Sequence, residues 1–256
     1  GPPARAASTR PRLRQAVPPA PPETEHVATY WYYAVALFGA AMTPYEVFFF
    51  SSGAVEEGWT AKDLAQNRVN VLVGFPLGGL LSVAIAACAA VVLLPAGIEV
   101  SSLSQIVLPV AEAGGTLLLA VVIVGIVAAT FGAALETALS SGYTLAQYLG
   151  WSWGKFRRPA RAVRFHLTMV VALLLAVAIL MTSVDPVAVT EMSVVFSAVA
   201  LPLTYVPILL VANDPEYMGE HVNGRVTNAL GMVYLVIVVV AAVAAIPLMI
   251  ATGAGS

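Results

Sequence analysis

Six stretches of the chain are each long and apolar enough to cross a lipid bilayer, and this decides most of what it can fold into. They are residues 29–52, 69–95, 117–148, 163–182, 187–211 and 226–252, against a requirement of about 20 mostly apolar residues per spanning helix. In hydrocarbon every backbone N–H and C=O must find its partner within the protein, so only helices and closed barrels are viable. Apolar and polar residues do not alternate at the recurring spacing a barrel requires, so the fold class is an all-α membrane protein with about six transmembrane helices. Composition agrees: 59% of the 256 residues are hydrophobic and 10% charged, where a soluble domain carries about 25% charged residues. A net charge of −2 gives no reason to invoke nucleic acid. The one cysteine, Cys88, excludes an internal disulfide and a multi-cysteine metal site. No His/Cys/Asp cluster has zinc spacing, and no Walker-type glycine loop supports ATP-driven transport. The chain is not read as an enzyme, and no cofactor is expected.

Residues 1–28 are rich in proline and carry Arg5, Arg10, Arg12 and Arg14. Such a segment cannot build a core and reads as a disordered tail or linker. It has no apolar h-region, so it is not a signal peptide. Residues 29–252 form the helical transmembrane domain and 253–256 a short tail. The chain begins at Gly1 rather than Met, which suggests a processed or trimmed piece of a longer protein. "SSLSQIVLPVAEA" (101–113) is expected to form a short interfacial helix. The loop 150–164 holds Lys155, Arg157, Arg158, Arg161 and Arg164. By the positive-inside rule it faces the cytoplasm, with Trp151 and Trp153 at the membrane edge. Loops 53–68 and 212–225 then share that side and both chain ends lie outside. The tail arginines oppose this orientation, but they are remote from the first span. The expected location is a plasma (inner) membrane, crossed several times.

The first span contains "AAMTPYEVFFFSS" (40–52). Pro44 lacks an N–H, and its ring clashes with the carbonyl one turn earlier. Such a break is tolerated where backbone packs on protein or lines a cavity. In secondary transporters discontinuous helices use unwound carbonyls and helix ends to hold ions and substrates. Gly39, just ahead, adds flexibility and room for close approach. Glu46 would cost about 2.5 kcal/mol or more if isolated in lipid, but paired with a cation or proton it becomes a site. The plainer reading is a proline kink with Glu46 near a water-filled mouth. Phe48, Phe49 and Phe50 read as packing or interfacial residues.

A second intramembrane carboxylate, Glu136, lies in "TFGAALETALSSGYTLAQ". Thr130, Thr137, Ser141 and Thr144 share one helical stripe, with Glu136 beside it. That stripe either glues helices together or, with the carboxylate, lines a water path. Glu46 and Glu136 together would attract a cation better than either alone. His166, at the start of the fourth span, is an interfacial histidine by default and a proton-pathway candidate with Glu136. Asp185 and Glu191 flank a short outer loop, and Glu99 and Glu112 belong to the outer connection.

Two stretches carry a resemblance. "GAAMTPYEVFFFSSGAVEE" resembles the sixth-helix signature of the Nramp family of proton-coupled divalent metal transporters, G-A-x-x-M-P-H-N-x-[YF]-x-H-S-S. "LPLTYVPILLVANDPEYMGEHVNGR" is similar to the family's tenth helix and following loop, with Pro202, Pro207, Asp214, Met218, Gly219 and Asn223 at matching spacings. "LETALSSGYTLAQ" resembles the eighth helix more loosely. The resemblance covers about 29–252 and implies helices six to eleven of an inverted-repeat, LeuT-like architecture: the second repeat plus one helix. The first repeat, with its D-P-G-N metal ligands, is absent from this chain. A missing N-terminal half or a separate partner subunit is therefore implied, beside the lipid bilayer.

The same resemblance assigns a divergent metal site. Ala40 matches the alanine whose carbonyl contacts metal. Thr43 stands in place of the metal-binding methionine, Tyr45 in place of histidine and Glu46 in place of asparagine. Val194 stands in place of the tenth-helix glutamine, and Glu136 where the eighth helix has glutamine. The implied metal set is Ala40, Thr43, Glu46 and Glu136. Losing a soft thioether and gaining oxygen ligands shifts preference toward harder cations. Mg²⁺, which keeps several waters when bound, joins Mn²⁺ and Fe²⁺ as a candidate cargo, and magnesium-carrying relatives of Nramp set a precedent for losing that methionine. The implied function is a symporter-type carrier of divalent cations, possible proton coupling included. Two rivals stay open: an amino acid or organic cation carrier of the same architecture, and a truncated, non-transporting membrane subunit.

Overall fold

The computed structural model describes residues 27–93, 105 and 107–253. The first span is two helices, α1 (Val27–Ala41) and α2 (Pro44–Glu56). The second joins a 3₁₀ turn (Ala61–Asp63), α3 (Leu64–Val69), a π turn (Asn70–Gly74) and α4 (Phe75–Val92). There follow α5 (Leu108–Tyr148), a 3₁₀ turn (Pro159–Arg161), α6 (Val163–Leu180), α7 (Pro186–Ala212), the short α8 (Pro215–Met218) and α9 (Arg225–Thr252). No strand occurs among the described residues, and six helical segments are long and apolar enough to span a membrane. The 1–28 tail lies almost wholly outside the described residues, as do Glu99, residues 101–104 and 106 of the expected 101–113 helix, and residues 254–256.

Local chemistry sets these boundaries. Asp185 caps α7 by accepting the Val187 N–H at 3.0 Å, and Asp214 caps α8 by accepting the Glu216 N–H at 2.8 Å. Asp185 is thus a structural cap. Proline opens α2, α7 and α8, where its missing N–H costs nothing. The second span begins at Ala61, earlier than the apolar run suggests, because Thr60 and Asp63 form a capping box. Its π turn widens the backbone just ahead of Pro76, whose ring would otherwise meet a carbonyl one turn back. In α5 the backbone leaves helical geometry at Gly115 (φ 63°, ψ −162°). A short helix from Leu108 therefore precedes the long third span at an angle.

Packing gathers around two centres. Tyr32 of α1, Val195 and Ala198 of α7 and Ala245 of α9 form one buried cluster. Tyr143 and Ala146 of α5, with Ala162 and Phe165 at the start of α6, form the other; Phe49 of α2, Trp151 and Trp153 pack against it. The broken span is shared between them, α1 seated in the first and α2 in the second. α4 has no buried residue and touches α5 only lightly.

Candidate functional site

Helical hydrogen bonding in the first span stops at Ala41 and resumes at Pro44. Because Pro44 has no N–H, the Ala40 carbonyl has no helical donor four residues ahead. Thr43 takes an extended conformation (φ −96°, ψ 138°) at the start of α2. Its carbonyl accepts the Glu46 N–H at 3.2 Å, while its hydroxyl caps nothing. Thr43 Oγ1 is buried and has no hydrogen-bond partner among the described residues. A buried hydroxyl left unmatched is destabilising by about 1–3 kcal/mol, so this atom marks the break as a place where a polar ligand would be welcome.

Gly39 sits in regular helix and serves contact rather than flexibility. An added Cβ there would lie 2.7 Å from the Val194 carbonyl oxygen and 2.9 Å from Ala198 Cβ. The backbones of α1 and α7 thus touch one turn before the break, and Gly39 and Val194 come together. Pro202 in α7 deprives the Ala198 carbonyl of its helical donor at this same contact. Met42 is also held, its sulfur accepting a hydrogen bond from the Tyr234 hydroxyl of α9 at 2.9 Å.

On the other side α2 lies along α5. Ser140 Oγ donates to the Tyr45 carbonyl at 2.8 Å, and Gln147 Nε2 donates to Ser52 Oγ at 2.9 Å. Both pairs are 95 residues apart in sequence, so the two helices run parallel in constant register. That register belongs to α2 and ends at Pro44; one turn before Ser140, on the same face of α5, stands Glu136. Glu136 is half-buried, whereas Glu46, in the first turn of α2, is exposed.

The polar stripe expected on α5 is differently used. Thr130, Thr137 and Ser141 donate to the Ile126, Ala133 and Thr137 carbonyls of their own helix. Such back-bonding satisfies a hydroxyl without a neighbouring helix. The face that joins helices runs through Ser140, Tyr143 and Gln147, and Glu136 is its upper member. His166 is half-buried, with Nδ1 2.9 Å from the Ala162 carbonyl; it makes no hydrogen bond or ion pair with Glu46 or Glu136.

At the far end of α2 a second polar cluster closes the α2–α5 seam. The Tyr143 hydroxyl donates to Glu56 Oε2 at 2.6 Å, and the Phe156 N–H donates to Glu56 Oε1 at 2.8 Å. Glu57 pairs with Lys155 and accepts the Trp59 indole N–H at 3.1 Å. The hydrogen bond from Lys155, then that from Trp59, then the Lys155 charge hold the Glu57 carboxyl below the usual carboxylate range. Sequence reasoning passed over Glu56, and counted Tyr143 only among the polar residues around Glu136. The signal was available: a carboxylate ending one apolar run and a tyrosine one heptad past Glu136.

A bundle of membrane-spanning helices, entered by one that is broken at a proline and leaves a hydroxyl unmatched, defines a multi-pass integral membrane protein. Residues 7–247 match the family described as Nramp, natural resistance-associated macrophage protein-like. The chain belongs to the Nramp family, whose members transport divalent metal ions. The matched region begins inside the proline- and arginine-rich segment, upstream of α1. No curated protein is similar enough to be matched with the chain.

Proposed function

We propose that the chain forms the second half of a secondary transporter that moves a divalent cation, Mg²⁺ or Mn²⁺/Fe²⁺, past the break between α1 and α2. The observation that carries this reading is the buried Thr43 hydroxyl left unmatched at the break. With it the reading takes the Ala40 carbonyl freed by Pro44 and the Glu136 carboxylate, one turn before Ser140 on the face of α5 that meets α2. Carbonyl, hydroxyl and carboxylate are hard ligands, suited to Mg²⁺ and Mn²⁺ over softer metals. No sulfur competes, because Met42 is committed to Tyr234. In this reading Glu136 supplies the charge at the site. Glu46, exposed in the first turn of α2, draws cations toward it. His166, with Nδ1 against the Ala162 carbonyl, is the second proton-pathway candidate beside Glu136.

The remaining ligands are expected from a first half of the fold, encoded upstream or in a partner subunit. The test is flux of Mn²⁺ and Mg²⁺ into proteoliposomes, with the chain alone and with that half co-reconstituted. Glu136→Gln is expected to lower flux at least tenfold while leaving the folded fraction unchanged. Unaltered flux and unaltered proton movement in that variant would remove Glu136 from the site. Competition by an organic solute, with none by either metal, would favour an organic cation carrier instead.

A further inference from the structure

Away from the break, the loop between α5 and α6 forms a cavity of about 370 Å³, within the ordinary range for a small ligand. Its walls include Gly150, Trp151, Ser152, Arg161 and Arg164. The Arg164 guanidinium lies over the Trp151 ring, 5.2 Å from the ring centre. Stacking there fixes the cation in place yet leaves its N–H edge available for bidentate bonding. Arg161 and Arg164 have no acidic partner among the described residues, the loop's ion pair being Lys155 with Glu57. No carboxylate lines the cavity. Val163 and Arg164, the first residues of α6, also line it, and no side chain caps that helix. Two guanidinium groups and open helix N–H groups therefore converge on one space, which is complementary to an anion with several acceptor oxygens.

The rim identifies the source of that anion. Val163, which lines the cavity, is 58% exposed, and it also borders an apolar hollow walled by Leu167 and Val170. The loop joins the ends of two spans, the depth at which headgroups lie and where tryptophan is favoured. The excess of Lys and Arg puts this loop on the cytoplasmic side, where anionic lipids attract basic segments. We propose that the cavity is a binding site for the phosphodiester headgroup of an anionic phospholipid of that leaflet. The apolar rim lies against the acyl chains, and Arg161 with Arg164 holds the phosphate. This inference does not depend on the cation reading.

The experiment is lipid retention by the full chain, read by native mass spectrometry after extraction from nanodiscs of phosphatidylglycerol mixed with phosphatidylcholine. A charge-assisted hydrogen bond to a bound phosphate is worth about tenfold or more in affinity. Arg161→Gln with Arg164→Gln is thus expected to lose bound phosphatidylglycerol by more than an order of magnitude. Arg157→Gln with Arg158→Gln removes the same charge from the same loop outside the cavity, and is expected to retain the lipid. Arg164→Lys, which keeps the charge and not the fork, is expected to bind at an intermediate level and guards against misfolding of the double variant. Equal losses in the two double variants would overturn the site in favour of diffuse charge. Retention in Arg161→Gln with Arg164→Gln would overturn it outright. Displacement of the lipid by millimolar inorganic phosphate would overturn the lipid as its occupant.

Discussion

A methyl group placed on Gly39 would sit 2.7 Å from the Val194 carbonyl oxygen and 2.9 Å from Ala198 Cβ. Backbone cannot yield as a flexible side chain does, so Gly39→Ala forces α1 away from α7. The expected loss is about 1–3 kcal/mol of stability, as for other overpacked cores, read from denaturation in detergent or nanodiscs. Thr43 separates ligand binding from folding. Thr43→Val keeps the shape and deletes an unmatched hydroxyl, so stability should hold or rise by about 1 kcal/mol. Metal affinity should fall in the same variant if the hydroxyl is a ligand. A fall in both would show that Thr43 is structural. Glu57 gives a pH prediction. Its carboxyl is held low in the folded chain by Lys155 and Trp59. Its contribution to stability is therefore present above the unfolded carboxylate value, about 4.3, and is lost as pH falls through the lower folded value. Melts recorded from pH 7 down to pH 3 should show a smaller acid-side decline in Lys155→Gln than in the parent chain.

At the scale of elements, the α2–α5 seam rests on bonds that substitution can remove singly. Ser140→Ala takes away the bond to the Tyr45 carbonyl and should cost about 0.6 kcal/mol, the usual worth of such contacts between membrane helices. Tyr143→Phe leaves Glu56 without its hydroxyl donor and should cost about 1.5 kcal/mol or more, since the acceptor is charged. Thermal melts of both variants check the order. The break in this seam's first helix was legible in sequence because one residue, Pro44, dictates it chemically. The spans were legible because length and apolarity are local properties. The register was not, because it is set by which face of α5 meets α2, and two polar faces were on offer. Thr130, Thr137 and Ser141 looked like the contacting stripe, yet each hydroxyl is satisfied inside its own helix. The candidate positions Ala40 and Thr43 were legible only through the family pattern, whereas Glu136 stood out as a carboxylate inside an apolar run. The angle at Gly115 was likewise hidden, since its positive φ is a backbone choice that glycine permits without demanding.

For the molecule as a whole, the described helices divide into α1, α7 and α9 on one side and α2, α5 and α6 on the other. If the break carries a cation, these groups should shift against each other when one binds. Spin-label pairs within one group, such as α7 to α9, are expected to keep their distance on addition of Mn²⁺-free Mg²⁺. Pairs between groups, such as α7 to α6, are expected to change. Equal constancy in both would mean a rigid assembly. The interruption at Ala41–Thr43 has a mechanical meaning in this arrangement. The continuous backbone passes from one group to the other through a few peptide units that no helix stiffens. If the two groups tilt, torsion about those units would be the axle, with the buried clusters at Tyr32 and Tyr143 each keeping its own partners. Such a tilt would be opposed by dihedral strain at the break and by the contact of α2 with α7.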